Sequence, residues 1–346
     1  YGGTYGAMFD IISPVAAQNI YTNYTNNDFI RGNFTVNYEP INNLNIKLNT
    51  GGTLNNGYNL THVKKYNLGT LQNPLNNMSE DRNRNISWIV EGTADYELEI
   101  KEHIFNFLLG VSSQKESFRN TYGYGNGLPD NILVLGASTQ DLSVSGLEWN
   151  HTLASQFGRI NYNFDDRYLA SATLRRDGSS RFAEENRWAL FPSASFAWRI
   201  SNEDFFPEEN LINDLKLRVS YGELGNQEIG NYAFSALINS TQHYPFGGDQ
   251  SLDFGATQLN LASPNIKWET NVSKNIGLDL SMFQNSLSIT ADYYTNNSKN
   301  LLLRVPIPFS NGSNLYPYEN IGEIRNRGLE FDVNWNKNIG EMNLNL

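Results

Sequence analysis

The chain has 346 residues, a formal net charge of −11 and no cysteine. The absence of cysteine excludes disulfides, thiol nucleophiles and thiolate metal sites, and the acidic balance argues against a nucleic-acid partner, which a basic patch would have to hold. Aromatic residues reach 13% against only 18% charged, and no apolar run is long enough for a transmembrane helix, so any membrane span has to be made of strands.

Alternation with a period of two runs along the chain. Ile30, Phe34, Val36 and Tyr38 alternate with Arg31, Asn33, Thr35 and Asn37, and a turn near Pro40 leads to Leu44, Ile46 and Leu48 against Asn43, Asn45 and Lys47. Trp88, Val90, Gly92, Ala94, Tyr96 and Leu98 then turn at "EIKEH" into Phe105, Phe107, Leu109 and Val111. Gly158, Ile160, Tyr162 and Phe164 turn at Asp165-Asp166-Arg167 into Tyr168, Ala170, Ala172 and Leu174, with Arg159, Asn161, Asn163, Ser171, Thr173 and Arg175 on the other face. The next pair is Leu190, Ala194, Phe196, Trp198 and Ile200 with Leu215, Leu217, Val219 and Tyr221. Ile276, Leu278, Leu280 and Met282 turn at "FQNS" into Leu287, Ile289, Ala291 and Tyr293, and Leu329, Phe331, Val333 and Trp335 turn at "NKNIG" into Met342, Leu344 and Leu346.

These segments predict six hairpins, about twelve strands, with short turns inside each hairpin and long connections at 51–85, 112–156, 175–187, 222–265 and 295–326. Short turns alternating with long loops are the habit of outer-membrane barrels rather than of compact soluble domains. The polar faces carry more Arg, Asn, Asp and Glu than a dry core satisfies, so a wet lumen is expected behind them. Two residues break the pattern. Pro192 falls on the apolar face without an N–H for the ladder, and a bulge is expected there. Lys274 also falls on the apolar face, eight residues before Met282 and therefore about 19 Å up a tilted strand, near the rim of the apolar band, where it is expected to snorkel.

No catalytic constellation emerges. The neighbouring carboxylates Glu184-Glu185, Glu203-Asp204 and Glu208-Glu209 read as solvated loop charges, "RDGSSR" lacks the following helix of a phosphate loop, and the four histidines are not at ligand spacing. No enzyme, cofactor or metal is expected. The candidate ligand contacts are loop aromatics beside amides: Tyr122 and Tyr124, Trp149, Tyr244 and Phe246, and Tyr316 and Tyr318. Such platforms stack on sugars or peptides, and equally pack loops together or form an interfacial girdle.

The stretches "YLASATLRRDGSSRFAEENRWALFPSASFAWRISNEDFF", "LKLRVSYGELGNQEIGNYAF" and "NLLLRVPIPFSNGSNLYPYENIGEIRNRGLEFDVNW" resemble the barrel of SusC/RagA-type TonB-dependent transporters, in family order between Phe157 and Trp335. The resemblance implies an all-β fold: a transmembrane antiparallel barrel of about 22 strands in the bacterial outer membrane. It implies TonB-dependent import of a large nutrient, an oligosaccharide or a peptide, with a SusD-like surface lipoprotein as partner. Residues 1–346 are read as part of one barrel domain, with the plug, the region contacting the TonB complex and the final strands absent from this sequence. Two other readings stay open: a passive porin or adhesin on a similar barrel, and a soluble carbohydrate-binding β protein.

Overall fold

The computed structural model describes residues 12–68, 71–207, 211–248, 251–258, 260–308, 310, 316–339 and 342–345. A short helix, α1 (Pro14–Ile20), precedes the strands; the Ser13 side chain accepts from the Ala16 N–H at its start and Pro14 fills the first turn. Twelve strands then form one antiparallel sheet in chain order: β1 (Tyr21–Ile41), β2 (Leu44–Val63), β3 (Asn77–Ile100), β4 (His103–Asn126), β5 (Gln140–Phe164), β6 (Tyr168–Ser179), β7 (Trp188–Arg199), β8 (Ile212–Asn226), β9 (Glu269–Met282), β10 (Leu287–Lys299), β11 (Glu323–Ile339) and β12 (Met342–Asn345). Each strand pairs with its neighbours in sequence, and the sheet is not closed among the described residues. Three small hairpins, Tyr66–Leu68 with Leu71–Asn73, Ile238–Phe246 with Ser251–Gln258, and Leu302–Arg304 with Tyr318–Asn320, stand on the long connections.

All six expected hairpins are present. Several of the turns enter the left-handed backbone: at Asn43 (φ 66°), Asp165 and Asp166 (47° and 49°) and Asn285 (62°), residue types that tolerate it best, and also at Lys101 (54°), Phe283 (55°) and Gln284 (58°). The long connections are shorter than expected, because much of 51–85 and 112–156 is strand. At 24 residues each, β3 and β4 are more than twice the roughly 9–11 residues that span a bilayer. Beyond the lipid no face has to be apolar, so the alternation stops while the ladder continues. The polar pairs Thr53–Ser87 (2.5 Å), Asn85–Glu116 (3.2 Å) and Asn120–Asp81 (3.0 Å) bridge adjacent strands there.

The chain divides into two compact units. One comprises Tyr1–Phe34, Thr50–Ile89 and Gln114–His151; the other comprises Thr35–Asn49, Val90–Ser113 and Thr152–Leu346. In the second unit one sheet face is apolar and open: Ile160, Leu174, Leu190, Ile276, Leu329 and Phe331 are 47–70% exposed. A sheet that turns such a face outward is built for hydrocarbon. The other face is a polar ladder. The Arg218 guanidinium forms two 2.8 Å bonds to Asp279 and reaches Asp292 at 3.3 Å, while Lys216 adds a 2.9 Å contact to Asp279.

Near the short turns, His103, Tyr162, Phe164, Tyr168 and Phe196 form a chain of ring contacts with centroids 4.7–6.4 Å apart. Aromatic rows of this kind suit the interfacial level of a barrel wall. Glu203 in the following turn accepts from the Tyr168 hydroxyl (2.6 Å) and the Trp198 indole (2.7 Å), and these bonds hold its carboxyl below the usual carboxylate range.

No bulge accommodates Pro192. The β6–β7 register runs unbroken through Leu174↔Pro192, and the β7–β8 ladder ends one residue short, at Ser193↔Gly222, so no neighbour there needs a proline N–H. Lys274 pairs with Tyr221, and its ammonium lies 6.0 Å from the centre of the tyrosine ring.

The core of the second unit lies under its loops. Phe182, Phe191, Ile229, Ile266 and Trp268 form one buried cluster, and the Trp268 indole donates to the Arg187 carbonyl at 3.0 Å. Gly225 closes it from below: a Cβ there would land on the Phe191 ring, 2.6–2.7 Å from its Cε atoms. Gly225→Val is therefore expected to overpack the cluster and lower unfolding stability by about 1–3 kcal/mol. Urea titration beside Gly222→Val, whose added Cβ meets only Ser193 Cβ at 3.5 Å, checks it.

Candidate functional site

In the first unit the aromatic candidates stand on strands rather than in loops. Tyr122 and Tyr124 lie near the end of β4, two apart and hence on one face with Asn120 and Phe118. Trp149 lies on β5 and stacks on Phe118, with centroids 5.5 Å apart and planes at 21°. Tyr122 is exposed; the Tyr124 hydroxyl donates to Asn126 (2.9 Å), whose amide donates to Asp141 (2.9 Å). Phe118 was not legible as a candidate; its place two turns of the pleat from Tyr122 is the signal that would have found it.

These strand ends are clasped by a buried asparagine. The Asn76 amide donates to the Leu128 carbonyl (2.8 Å) and to Asp130 (2.9 Å), and its side-chain oxygen accepts from the Lys65 N–H (2.7 Å). Lys65 also pairs with Asp130 at 3.2 Å, and Leu60, Met78 and Leu128 pack beside the clasp. The Asn76 amide first, and Lys65 second, hold the Asp130 carboxyl below its ordinary range. A lowered folded-state pKa means that the clasp is at full strength above the ordinary aspartate value and weakens as pH falls through the folded one. The protection factors of the Lys65 and Gly127 amides, which correct for the intrinsic pH dependence of exchange, are therefore expected to be high at neutral pH and to fall only below about pH 4; a fall already at pH 6 would show that Asp130 does not hold the clasp.

In the second unit the candidates separate. Tyr244 and Phe246 are on the hairpin Ile238–Phe246, 65% and 67% exposed, and share a face with Asp253 and Ser251. The opposite face carries His243 against Phe254, with ring centroids 4.8 Å apart. Tyr316 is exposed. Tyr318 instead packs against the buried cluster and lies beneath the Arg304 guanidinium at 4.9 Å, so it joins loop to core. The candidates thus divide into a strand-borne aromatic row with amides and carboxylates, an exposed hairpin, and a packing residue. Their chemistry is stacking and hydrogen bonding.

Comparison with known proteins places this architecture. The "TonB dependent receptor-like, beta-barrel" family matches residues 2–346. The chain belongs to that family. It is 31% identical to TonB-dependent receptor SusC of Bacteroides thetaiotaomicron over 329 residues, 93% of this chain and 32% of the relative. It is also 31% identical to TonB-dependent receptor P3 of Formosa agariphila over 331 residues, 94% of this chain and 32% of that protein. Among solved structures it is similar to the RagAB peptide transporter, with a TM-score of 0.86 and 26% identity over 96% of this chain and 37% of the other. The chain spans about a third of the length of these relatives. Membership places it in the outer membrane, with the open apolar face in lipid.

Proposed function

We propose that the chain is part of the barrel wall of a TonB-dependent importer that carries a large nutrient, an oligosaccharide or a peptide, across the outer membrane. The observation that supports this is the family match along residues 2–346, joined to the likeness to SusC and to the RagAB peptide transporter. In this reading residues 1–346 supply about twelve of roughly 22 strands, and a surface lipoprotein of the SusD type caps the pore. The energising contact with the TonB complex is made by a region outside this sequence. The aromatic row Phe118, Tyr122, Tyr124 and Trp149 and the hairpin bearing Tyr244 and Phe246 are the ligand-facing candidates; Tyr316 is a further candidate on the last long connection, which Tyr318 anchors to the buried cluster. No bond is made or broken; the wall's part is to bind and to guide.

The test is isolation of the full-length protein from native outer membranes in mild detergent. A stoichiometric lipoprotein with bound oligosaccharide or peptide is the expected result and names the substrate class. A barrel that purifies alone and conducts ions freely in planar bilayers would replace the proposal with a porin.

A further inference from the structure

The lipid-facing side of the second unit carries a groove of about 690 Å³. Its floor is made by Gly92 and Gly158, and its walls by Leu109, Leu174 and Leu190, which are 51–68% exposed. A smooth barrel wall has bulky residues at such positions. Here Gly92 leaves the floor open, a Cβ there meeting only Val111 at 4.0 Å, while at Gly158 the Leu109 side chain leans in to 3.2 Å from where a Cβ would sit and forms the near wall.

The trough ends at a cation. Arg176 follows Leu174 on the outward face of β6, pairs in register with Gln156 and Leu190, and lies 4.5 Å from the centre of the Trp188 ring. It stands eight residues above Tyr168, which abuts the short turn, and so about 19 Å up a tilted strand, at the far rim of the apolar band. Lys274 stands eight residues above Met282 and likewise lies over an aromatic ring, that of Tyr221. Two basic residues over aromatic rings thus mark one level of the wall. Arg176 differs in having an apolar trough directly below it and the Gln156 amide beside it.

We propose that this trough is a specific lipid site: acyl chains lie along Gly92 and Gly158, and Arg176 pairs with a phosphate of a phosphorylated, acylated glycolipid of the outer leaflet. A guanidinium binds phosphate through paired charge-assisted hydrogen bonds. An indole and an amide beside it suit the sugar that carries the phosphate. The height of Arg176 puts that headgroup in the outward leaflet and excludes the inner one. The site is independent of what the transporter carries.

The test uses the full-length protein in nanodiscs of phosphatidylethanolamine, titrated with bisphosphorylated lipid A and read by native mass spectrometry. Wild type is expected to hold one lipid A. Arg176→Gln is expected to weaken it about tenfold, and removal of the lipid A phosphates is expected to do the same to wild type. Gly92→Leu fills the floor from a position where an added Cβ has only Val111 at 4.0 Å, and it is expected to weaken binding comparably. Unchanged migration without heating in detergent gels confirms that both variants are folded. Binding unaltered by Arg176→Gln and Gly92→Leu would overturn the proposal. So would phosphatidylglycerol displacing lipid A at equal concentration, since the site would then read any anionic lipid.

Discussion

Phe182→Ala is expected to cost about 3–5 kcal/mol, the loss typical of truncating a fully buried phenylalanine. Phe182 is 0% exposed and lies in the loop between β6 and β7, with its ring 5.2 Å from that of Trp268 at 35°; Phe191 meets the same indole at 5.5 Å and 69°. Alanine there leaves a cavity that these rings cannot close without moving Trp268 off the Arg187 carbonyl. The segment 180–187 is also tied down by hydrogen bonds, among them Ser180 N–H to the Thr152 carbonyl and the Arg181 guanidinium to Gln227 and Asn231, so the alanine variant tests the apolar packing alone. Urea unfolding of the full-length protein in lipid vesicles measures the loss, with Phe182→Leu expected to lose clearly less. A loss under about 1 kcal/mol would show that the loop cluster opens independently of the strands.

A lysine at Ala172 is expected to destabilise the membrane-inserted state by about 2–4 kcal/mol, whereas Thr173→Lys is tolerated. Ala172 pairs with Ile160 and Ala194 on the outward face and stands four residues from the turn-proximal Tyr168, near the middle of the band. Thr173 faces the other way, where the Arg159 guanidinium donates to its hydroxyl at 3.2 Å. The two positions are adjacent in sequence and differ only in the solvent they see. Unfolding titrations of the two variants in parallel decide it; equal free energies would mean that the facing is wrong.

How much of this was legible in the sequence follows from the same physics. Where lipid touches a strand, Ile, Leu and Phe must alternate with Asn, Ser and Arg, so the six hairpins could be placed residue by residue. Above the lipid the constraint disappears. Segments such as 51–63, "GGTLNNGYNLTHV", continue the ladder with only a broken apolar face, Leu54, Tyr58 and Leu60 among Gly, Asn and His, and read as loop. For the same reason Tyr122, Tyr124 and Trp149 were read as loop residues, although strands hold them. The Asn76 clasp joins residues 52 and 54 positions apart, a pairing that no local pattern announces. Phe182 was visible only as a lone aromatic within "SSRFAEEN", and the packing that surrounds it comes from strands β5 and β7 and from two other connections.

Because every strand of the sheet pairs only with the strands just before and after it, the wall can be made in the order in which it is synthesised. The widest gap between paired strands is the connection from Asn226 to Glu269, and even that joins neighbours. No strand has to wait for a distant one before its amides are matched, so the entropic toll of closing long loops is spread over many small steps. Such a chain can enter a bilayer as successive two-stranded units, each hiding its own backbone polarity. Its kinetic hazard then lies in the unmatched leading edge, which stays adhesive until the next hairpin arrives.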